Sequence, residues 1–168
     1  MKTIVLIGMM GAGKTDTGKA LANQLGIQFI DLDKEIEIRE KISIADIFSN
    51  FGEKYFRKRE KEVLQEVIKY ENLVLSLGGG TFEDKEIQKL LLSNTTVIYL
   101  ETTSEEILRR IKNDTTRPLL KNNINIEKIN ELINLRNKNY KLAPYTIVTD
   151  NKDINDVVGE IMRCVDLK

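Results

Sequence analysis

The chain has 168 residues, 41% of them hydrophobic and 31% charged, which predicts a single compact domain spanning residues 1–168 with a buried core. Lysine plus arginine and aspartate plus glutamate both number 26, so the formal net charge is zero and no bulk positive field favours nucleic acid or an anionic membrane as a partner. With no histidine and one cysteine, the composition excludes histidine-based catalytic pairs, histidine-ligated zinc and an internal disulfide.

The N-terminal segment carries only a short apolar run, at residues 4–7, before the first glycine. Signal peptides need a longer apolar region, and a membrane-spanning helix needs about 20 apolar residues in a row, which this sequence has nowhere. The single Cys164 suits a reducing compartment. We therefore expect a cytoplasmic protein with no membrane partner.

Short apolar runs alternate along the chain with longer stretches of helical period, a pattern typical of a parallel sheet covered by helices on both faces. Strands are predicted at residues 3–7, 28–32, 73–77, 96–100 and 145–149. Helices are predicted at residues 14–25, 34–41, 44–50, 54–70, 84–92, 104–112, 126–140 and 154–165. Residues 113–125 break the period with polar side chains and Pro118, which predicts a loop. The fold class is therefore α/β, with three layers around five parallel strands.

A phosphate-binding pattern directly follows the first predicted strand. Residues 8–15, G-M-M-G-A-G-K-T, match G-x-x-x-x-G-K-[ST] between a strand and a helix. The glycines permit positive φ and turn backbone N–H groups toward phosphates, while Lys14 can reach the β- and γ-phosphates and Thr15 can ligate Mg²⁺. The alternative is a glycine-rich turn that binds no nucleotide. The pattern predicts nucleotide binding, but by itself it does not separate kinases from GTPase switches or ATP-driven motors.

Two aspartates stand at the end of the second predicted strand. Asp31 and Asp33 are two residues apart, so the period of a strand puts both carboxylates on the same side, at the carboxyl edge of the sheet where ligands of open α/β folds bind. One can support Mg²⁺ through water and the other can orient or deprotonate a hydroxyl. The alternative is that these aspartates cap the next helix, a role for which Asp33 is better placed than Asp31.

Three consecutive glycines, Gly78, Gly79 and Gly80, follow the third predicted strand at the same edge. Their N–H groups are open to close contact with a small ligand, although a flexible connector would also tolerate three glycines. This strand lacks the terminal aspartate of many ATPases that use a phosphate loop. The absence of that aspartate disfavours motors and switches.

Four arginines are candidate ligand-binding groups, because the planar guanidinium fork suits carboxylates and phosphates. They are Arg57, Arg110, Arg117 and Arg136. Most surface arginines are only solvated, so the spacing of these four does not by itself name a substrate.

Taken together, the ordered motifs resemble the shikimate kinase family over nearly the whole chain, from Lys2 to about Val165. The resemblance rests on the phosphate loop, Asp31-x-Asp33, Phe56-Arg57-x-x-Glu60, Ser76-x-Gly78-Gly79-Gly80, Arg117-Pro118-Leu119-Leu120, and Arg136 with Tyr140. It implies transfer of the γ-phosphoryl group of ATP to the 3-hydroxyl of shikimate, with Mg²⁺, in aromatic amino-acid biosynthesis. It also implies a fold like that of nucleoside-monophosphate kinases with strand order 2-3-1-4-5, a substrate-binding helical region at about residues 33–62 and a mobile lid at about residues 113–125. We expect a monomer.

The resemblance implies roles for the residues on the acceptor side. The shikimate carboxylate and ring would be held by two arginines, Arg57 and Arg136, and by the backbone amides of Gly79 and Gly80. Asp33 would bind the ring hydroxyls and orient or deprotonate the attacking one.

On the nucleotide side, the resemblance implies that Asp31 supports Mg²⁺ through water beside Thr15 and that Arg110 flanks the adenine. Arg117 would move onto the phosphates with the lid, and it would form the catalytic set with Lys14 and Asp33. The residues predicted to bind ATP are Gly11, Ala12, Gly13, Lys14, Thr15, Asp16, Arg110, Arg117 and Lys152.

Two positions depart from the family pattern. Asp16 stands where the family usually has threonine, so an anion replaces a donor to the α-phosphate. Lys152 is the only basic residue in a loop where the family often has arginine against the adenine.

Other functions stay open at this point: a gluconate or nucleoside-monophosphate kinase of the same fold, or a nucleotide-binding regulatory protein without catalysis. The glycine triplet with Arg57 and Arg136 favours shikimate over the other kinase substrates. The intact set of Lys14, Thr15, Asp33 and Arg117 favours an enzyme over a regulatory protein.

Overall fold

The computed structural model describes residues 1–113 and 125–165. At its centre is a parallel sheet of five strands in the order β2-β3-β1-β4-β5. The strands are β1 (Ile4–Ile7), β2 (Gln28–Asp31), β3 (Leu73–Ser76), β4 (Thr96–Glu101) and β5 (Tyr145–Val148). The predicted sheet order is confirmed, and each predicted strand matches an observed one to within a residue at either end.

The described residues form seven α-helices. They are α1 (Lys14–Leu25), α2 (Leu32–Glu40), α3 (Ile44–Val67), α4 (Lys85–Asn94), α5 (Ser104–Asn113), α6 (Ile126–Tyr140) and α7 (Ile154–Cys164). Gly52, with φ 81° and ψ 172°, interrupts α3, so the two helices predicted at 44–50 and 54–70 correspond to the segments on either side of this break. A short 3₁₀ helix, Thr81–Glu83, was not predicted. None of the helices in residues 1–113 and 125–165 has the length and apolar character needed to cross a membrane.

Helices cover both faces of the sheet, as the alternation of side chains in β1 shows. Ile4 and Leu6 pack into a core formed with α1 and α7. Val5 and Ile7 point to the opposite face, into a larger core formed with α2 to α6. All four residues of β1 are buried, because a central parallel strand has a helical layer on each side. The predicted three-layer α/β/α architecture is therefore confirmed.

The start of α2 corrects one prediction. The N-cap of α2 is Asp31, whose Oδ1 accepts a hydrogen bond of 3.3 Å from the N–H of Lys34. The prediction that Asp33 is better placed for the cap is wrong, because the helix begins at Leu32 directly after the strand. Asp33 therefore lies inside the first turn, and its side chain is available for another role.

Candidate active site

A cleft with a volume of about 780 Å³ opens at the carboxyl edge of β1, β2 and β3. A second hollow of about 430 Å³ lies beside it. The predicted site residues that line the cleft are Gly11, Gly13, Lys14, Thr15, Asp16, Asp31, Asp33, Gly79 and Arg110. Those that line the second hollow are Ala12, Gly13, Asp16, Arg110 and Lys152. The fold thus gathers residues that are more than 130 positions apart in the chain around one pair of cavities.

The phosphate loop has the backbone that the sequence predicted. Gly8, Gly11 and Gly13 have φ angles of 148°, 75° and 87°. A Cβ on Gly8 would lie 2.6 Å from the carbonyl oxygen of Leu100, so no side chain fits there. Helix α1 begins at Lys14, immediately after the loop, so the N–H groups of its first turn and its positive dipole end face the cleft. This geometry suits an anionic phosphate chain.

Lys14 lies across the phosphate loop. Its Nζ donates to the carbonyl oxygens of Gly8 at 3.0 Å and Met9 at 2.8 Å. These bonds hold the ammonium group at the mouth of the loop, where bound phosphate oxygens would replace neutral carbonyls by stronger, charged acceptors.

Thr15 and Asp31 form a pair that can hold a metal ion. The Thr15 Oγ1 donates to Asp31 Oδ2 at 2.8 Å. Within residues 1–113 and 125–165, no group of three or more histidine, cysteine, aspartate or glutamate side chains could hold a metal ion alone. One hydroxyl and one carboxylate suit Mg²⁺, which usually keeps several waters and takes further ligands from substrate phosphates.

Asp33 faces the cleft between the phosphate loop and the glycine triplet. Its Oδ1 lies 2.9 Å from the position that a Cβ on Gly78 would occupy. Burial raises the pKa of Asp33 from 3.8 to about 6, and the negative charges of Asp31 and Glu60 add to this rise, while the Lys14 ammonium opposes it. Asp33 is therefore ionised at neutral pH but accepts a proton more readily than an ordinary aspartate, which suits a general base.

The glycine triplet brings two arginines close to the backbone. A Cβ on Gly79 would lie 3.0 Å from Arg136 Nη1, and a Cβ on Gly80 would lie 2.9 Å from Arg57 Nη2. In the part of the chain that the structure describes, the N–H groups of Gly79 and Gly80 donate to no protein acceptor. Two guanidinium groups and two available amides thus share one corner of the site, a combination that suits a carboxylate.

The sequence analysis assigned no role to Glu60, which the structure places directly behind Arg57. Only 2% of Glu60 is exposed, and its Oε2 lies 2.8 Å from Arg57 Nη1. Its Oε1 accepts a 2.6 Å hydrogen bond from Thr81 Oγ1. Glu60 therefore orients Arg57 and ties it to the segment after the glycine triplet. The spacing of three residues between Arg57 and Glu60 on a helix was the available signal, but the contact with Thr81 depends on the fold.

Arg110 connects the phosphate loop to the end of β5. Its Nη2 donates to the carbonyl oxygen of Thr149 at 2.8 Å, and its Nη1 lies 3.4 Å from the carbonyl oxygen of Gly11. Its Nε donates to Glu106 at 2.7 Å. Hydrogen bonds from Arg109 and Arg110 outweigh the effect of burial and lower the pKa of Glu106 to about 2, so this carboxylate is ionised at neutral pH and holds Arg110 at the border of both cavities.

The remaining predicted residues differ in their surroundings. Asp16 is exposed in the first turn of α1 and borders both cavities. Lys152 borders the second hollow, but its Nζ lies 2.7 Å from Glu160 Oε1, so its charge is already paired. Arg117 and residues 114–124 of the predicted lid lie outside the described residues.

Comparisons with known proteins show the family to which this chain is related. A family model described as shikimate kinase matches residues 10–166. A shikimate kinase from Persephonella marina is 43% identical over 162 residues, covering 96% of this chain and 98% of that protein. A shikimate kinase from Caldicellulosiruptor saccharolyticus is 45% identical over 150 residues, covering 89% of this chain and 87% of that protein. The solved structure of shikimate kinase from Acinetobacter baumannii in complex with shikimate has a TM-score of 0.90 and 37% identity, covering 100% of this chain and 96% of that one.

Proposed function

The chain belongs to the shikimate kinase family, and from this premise we propose how its cleft catalyses phosphoryl transfer from ATP to shikimate. The protein is an ATP-dependent phosphotransferase, which sets aside the regulatory and gluconate or nucleotide kinase alternatives. The observation that carries the proposed mechanism is the position of Asp33. Its carboxylate, with a pKa of about 6, faces a cleft that has the phosphate loop on one side and the glycine triplet on the other.

On the nucleotide side, the backbone N–H groups of the phosphate loop and the first turn of α1 bind the phosphate chain. Lys14 leaves the carbonyls of Gly8 and Met9 and binds β- and γ-phosphate oxygens. Thr15 and Asp31 would hold Mg²⁺, Asp31 through water, and the bound ion would supply charge neutralisation on the phosphates. Arg110 supports the wall of the adenine pocket.

On the acceptor side, Arg57 and Arg136 bind the shikimate carboxylate, and the amides of the glycine triplet complete this site. Asp33 orients the 3-hydroxyl and accepts its proton. The hydroxyl oxygen forms a bond to the γ-phosphorus, the bond from that phosphorus to the β–γ bridging oxygen breaks, and ADP leaves with the electron pair. Positioning and charge neutralisation supply most of the catalysis in such a transfer.

The acceptor site is tested by replacing its arginines one at a time. Arg57→Ala and Arg136→Ala should each weaken shikimate binding by about 2–4 kcal/mol, because each removes a guanidinium partner from a desolvated carboxylate. ATP affinity should change little. Titration calorimetry with each ligand measures both effects, and Arg163→Ala, which removes an exposed arginine from α7, is the control. Unchanged shikimate affinity in both variants would contradict the proposed acceptor site.

A second prediction concerns the acidic residue at the start of α1. Asp16→Thr should tighten ATP binding several-fold, because a negative side chain about 6 Å from a phosphate costs roughly 1 kcal/mol after screening by water and salt. The empty protein should lose about 0.3–1 kcal/mol of stability, because an aspartate in the first turn interacts favourably with the helix dipole.

The measurement for Asp16 is the ATP dissociation constant at low and moderate salt. Asp16→Asn is the matched control, because it removes the charge without adding the hydroxyl of threonine. An equal gain in ATP affinity in both variants would show that the lost negative charge is the cause. A larger gain in Asp16→Thr would show that the threonine hydroxyl also donates a hydrogen bond to ATP. An unchanged or weaker affinity in both variants would show that Asp16 is only a solvated residue of the first turn.

Some parts of the proposal rest on the sequence alone. They include the role of Arg117, the lid at about residues 113–125, the substrate-binding region at about residues 33–62 and the single-domain organisation. We also propose a cytoplasmic monomer without a nucleic-acid partner. The zero net charge supports the absence of a nucleic-acid partner, and the single cysteine supports the cytoplasm.

A further inference from the structure

The three carbonyl groups of the glycine triplet are held in two different ways. The carbonyl oxygens of Gly78 and Gly80 each accept a 3.2 Å hydrogen bond from the N–H three residues further along, as in ordinary turns. The middle carbonyl, that of Gly79, accepts a hydrogen bond from the hydroxyl of Tyr140. Tyr140 is the last residue of α6, 61 positions away in the sequence.

Tyr140 is firmly held in the core. It is 1% exposed, and its ring stacks on Tyr99 of β4 with centroids 5.0 Å apart and planes inclined by 30°. Burial raises the pKa of Tyr140 to about 12, so its hydroxyl keeps its proton and stays a donor at physiological pH. A rigid core residue therefore contacts a segment that has no side chains of its own to hold it.

The hydrogen bond from Tyr140 also orients the next amide. The C=O of Gly79 and the N–H of Gly80 belong to the same planar trans peptide and point in opposite directions. A donor that holds the carbonyl therefore determines where the N–H points. Without this bond, the wide conformational freedom of glycine would let the peptide rotate.

The same helix carries one of the two arginines at this corner. Arg136 precedes Tyr140 by four residues, so both side chains lie on one face of α6. Arg136 Nη1 lies 3.0 Å from the position that a Cβ on Gly79 would occupy, and the hydroxyl of Tyr140 donates to the carbonyl of the same glycine. A second contact, from Asn139 Nδ2 to Glu83 Oε2 at 2.9 Å, joins α6 to the segment that follows the triplet.

We infer that Tyr140 is a positioning residue for the acceptor substrate: its hydroxyl sets the Gly79–Gly80 peptide so that the Gly80 amide and the Arg136 guanidinium converge on the same carboxylate. The inference rests on the proposed acceptor site. It adds a residue that touches neither substrate and acts through the backbone of the triplet.

The test is Tyr140→Phe, which removes the hydroxyl and keeps the ring that stacks on Tyr99. The shikimate dissociation constant should rise about fivefold, the change expected for one lost hydrogen bond, while the ATP dissociation constant stays within about twofold. Tyr99→Phe is the matched control, because it removes a hydroxyl from the same aromatic pair and leaves the bond to Gly79 in place. A fall in affinity for both substrates together with a lower melting temperature would overturn the inference, because it would show a purely structural role.

A measurement on the unchanged protein gives an independent check. Amide ¹⁵N relaxation should give Gly80 an order parameter near that of rigid backbone, about 0.85, and Tyr140→Phe should lower it. A flexible Gly80 in the unchanged protein would overturn the inference without any substitution. Arg57→Ala, measured beside these proteins, separates the two proposals. If it weakens shikimate binding and Tyr140→Phe does not, only the role of Tyr140 fails; if neither Arg57→Ala nor Arg136→Ala weakens shikimate binding, the acceptor site itself fails.

Discussion

Replacing Lys14 by alanine is expected to lower kcat by about 10³ or more, the scale on which phosphate-binding cations contribute to phosphoryl transfer. In the structure, the Lys14 ammonium is held at the mouth of the phosphate loop by the carbonyls of Gly8 and Met9. In the proposed nucleotide site, this ammonium lies close to the β- and γ-phosphates and helps to neutralise their negative charge during transfer. The side chain contributes little to the core, so the fold should survive its removal.

The measurement is steady-state kinetics at saturating ATP and shikimate, with circular dichroism and a melting curve to show that the variant is folded. Lys19→Ala is the matched control, because Lys19 is an exposed lysine of the same helix that borders neither cavity. Near-normal turnover in a folded Lys14→Ala protein would disprove the proposed role of the phosphate loop.

Asp33→Asn should lower kcat by about 10²–10⁴, the usual contribution of a general base. The amide keeps the shape of the carboxylate but cannot accept the proton of the attacking hydroxyl. Shikimate affinity should fall more than ATP affinity, because the proposed mechanism places Asp33 against the acceptor hydroxyl. Glu71→Gln, at an exposed carboxylate that borders neither cavity, serves as the control.

The pKa of Asp33 adds a pH dependence to this prediction. The wild-type kcat/KM for shikimate should fall as the pH drops below about 6, because protonated Asp33 cannot act as a base. The residual activity of Asp33→Asn should lack this decrease. A wild-type profile that stays flat from pH 5 to pH 8 would contradict the assignment.

The raised pKa of Asp33 also affects stability: whereas kcat/KM should rise with pH, the free energy of unfolding should fall. Because the pKa of Asp33 is raised in the folded state, the folded protein binds this proton more tightly than the unfolded chain, and stability falls as the pH rises from 3.8 to about 6. Above that range the ionised carboxylate costs about 1–3 kcal/mol. Asp33→Asn should therefore raise the melting temperature at pH 8 and have little effect at pH 4. An equal effect at both pH values would show that the pKa shift is not the cause.

The local sequence was sufficient to predict where the strands lie, because the patterns that mark a strand are short-range. The apolar runs that became β1 and β3 contain no polar alternation, and their residues are buried on both sides as predicted. The glycines of the phosphate loop have positive φ because the pattern between a strand and a helix demands a turn that only glycine adopts without strain. The strand order, in contrast, came from the resemblance to a family and not from the periodicity of the runs.

Helix starts were less predictable, as α2 shows. The sequence suggested a cap at Asp33, but the helix begins directly at the end of the strand, so the cap is Asp31. A side chain can cap a helix wherever the chain first turns, and which of two nearby aspartates does so depends on how the strand is held in the sheet. The sequence therefore identified both carboxylates but favoured the wrong one, Asp33, as the cap.

What the sequence by itself determined is the chemistry available: a phosphate loop, two carboxylates at a strand end, a glycine triplet and several arginines. Only the tertiary structure decided how these groups act on one another. Behind Arg57, the buried Glu60 accepts a hydrogen bond from Thr81, Tyr140 reaches the carbonyl of Gly79, and Lys152 is paired with Glu160. These contacts join positions up to 61 residues apart, and burial and nearby charges set the pKa of Asp33. Local patterns carry no information on such distances or on burial, because both arise when the helices pack against the sheet.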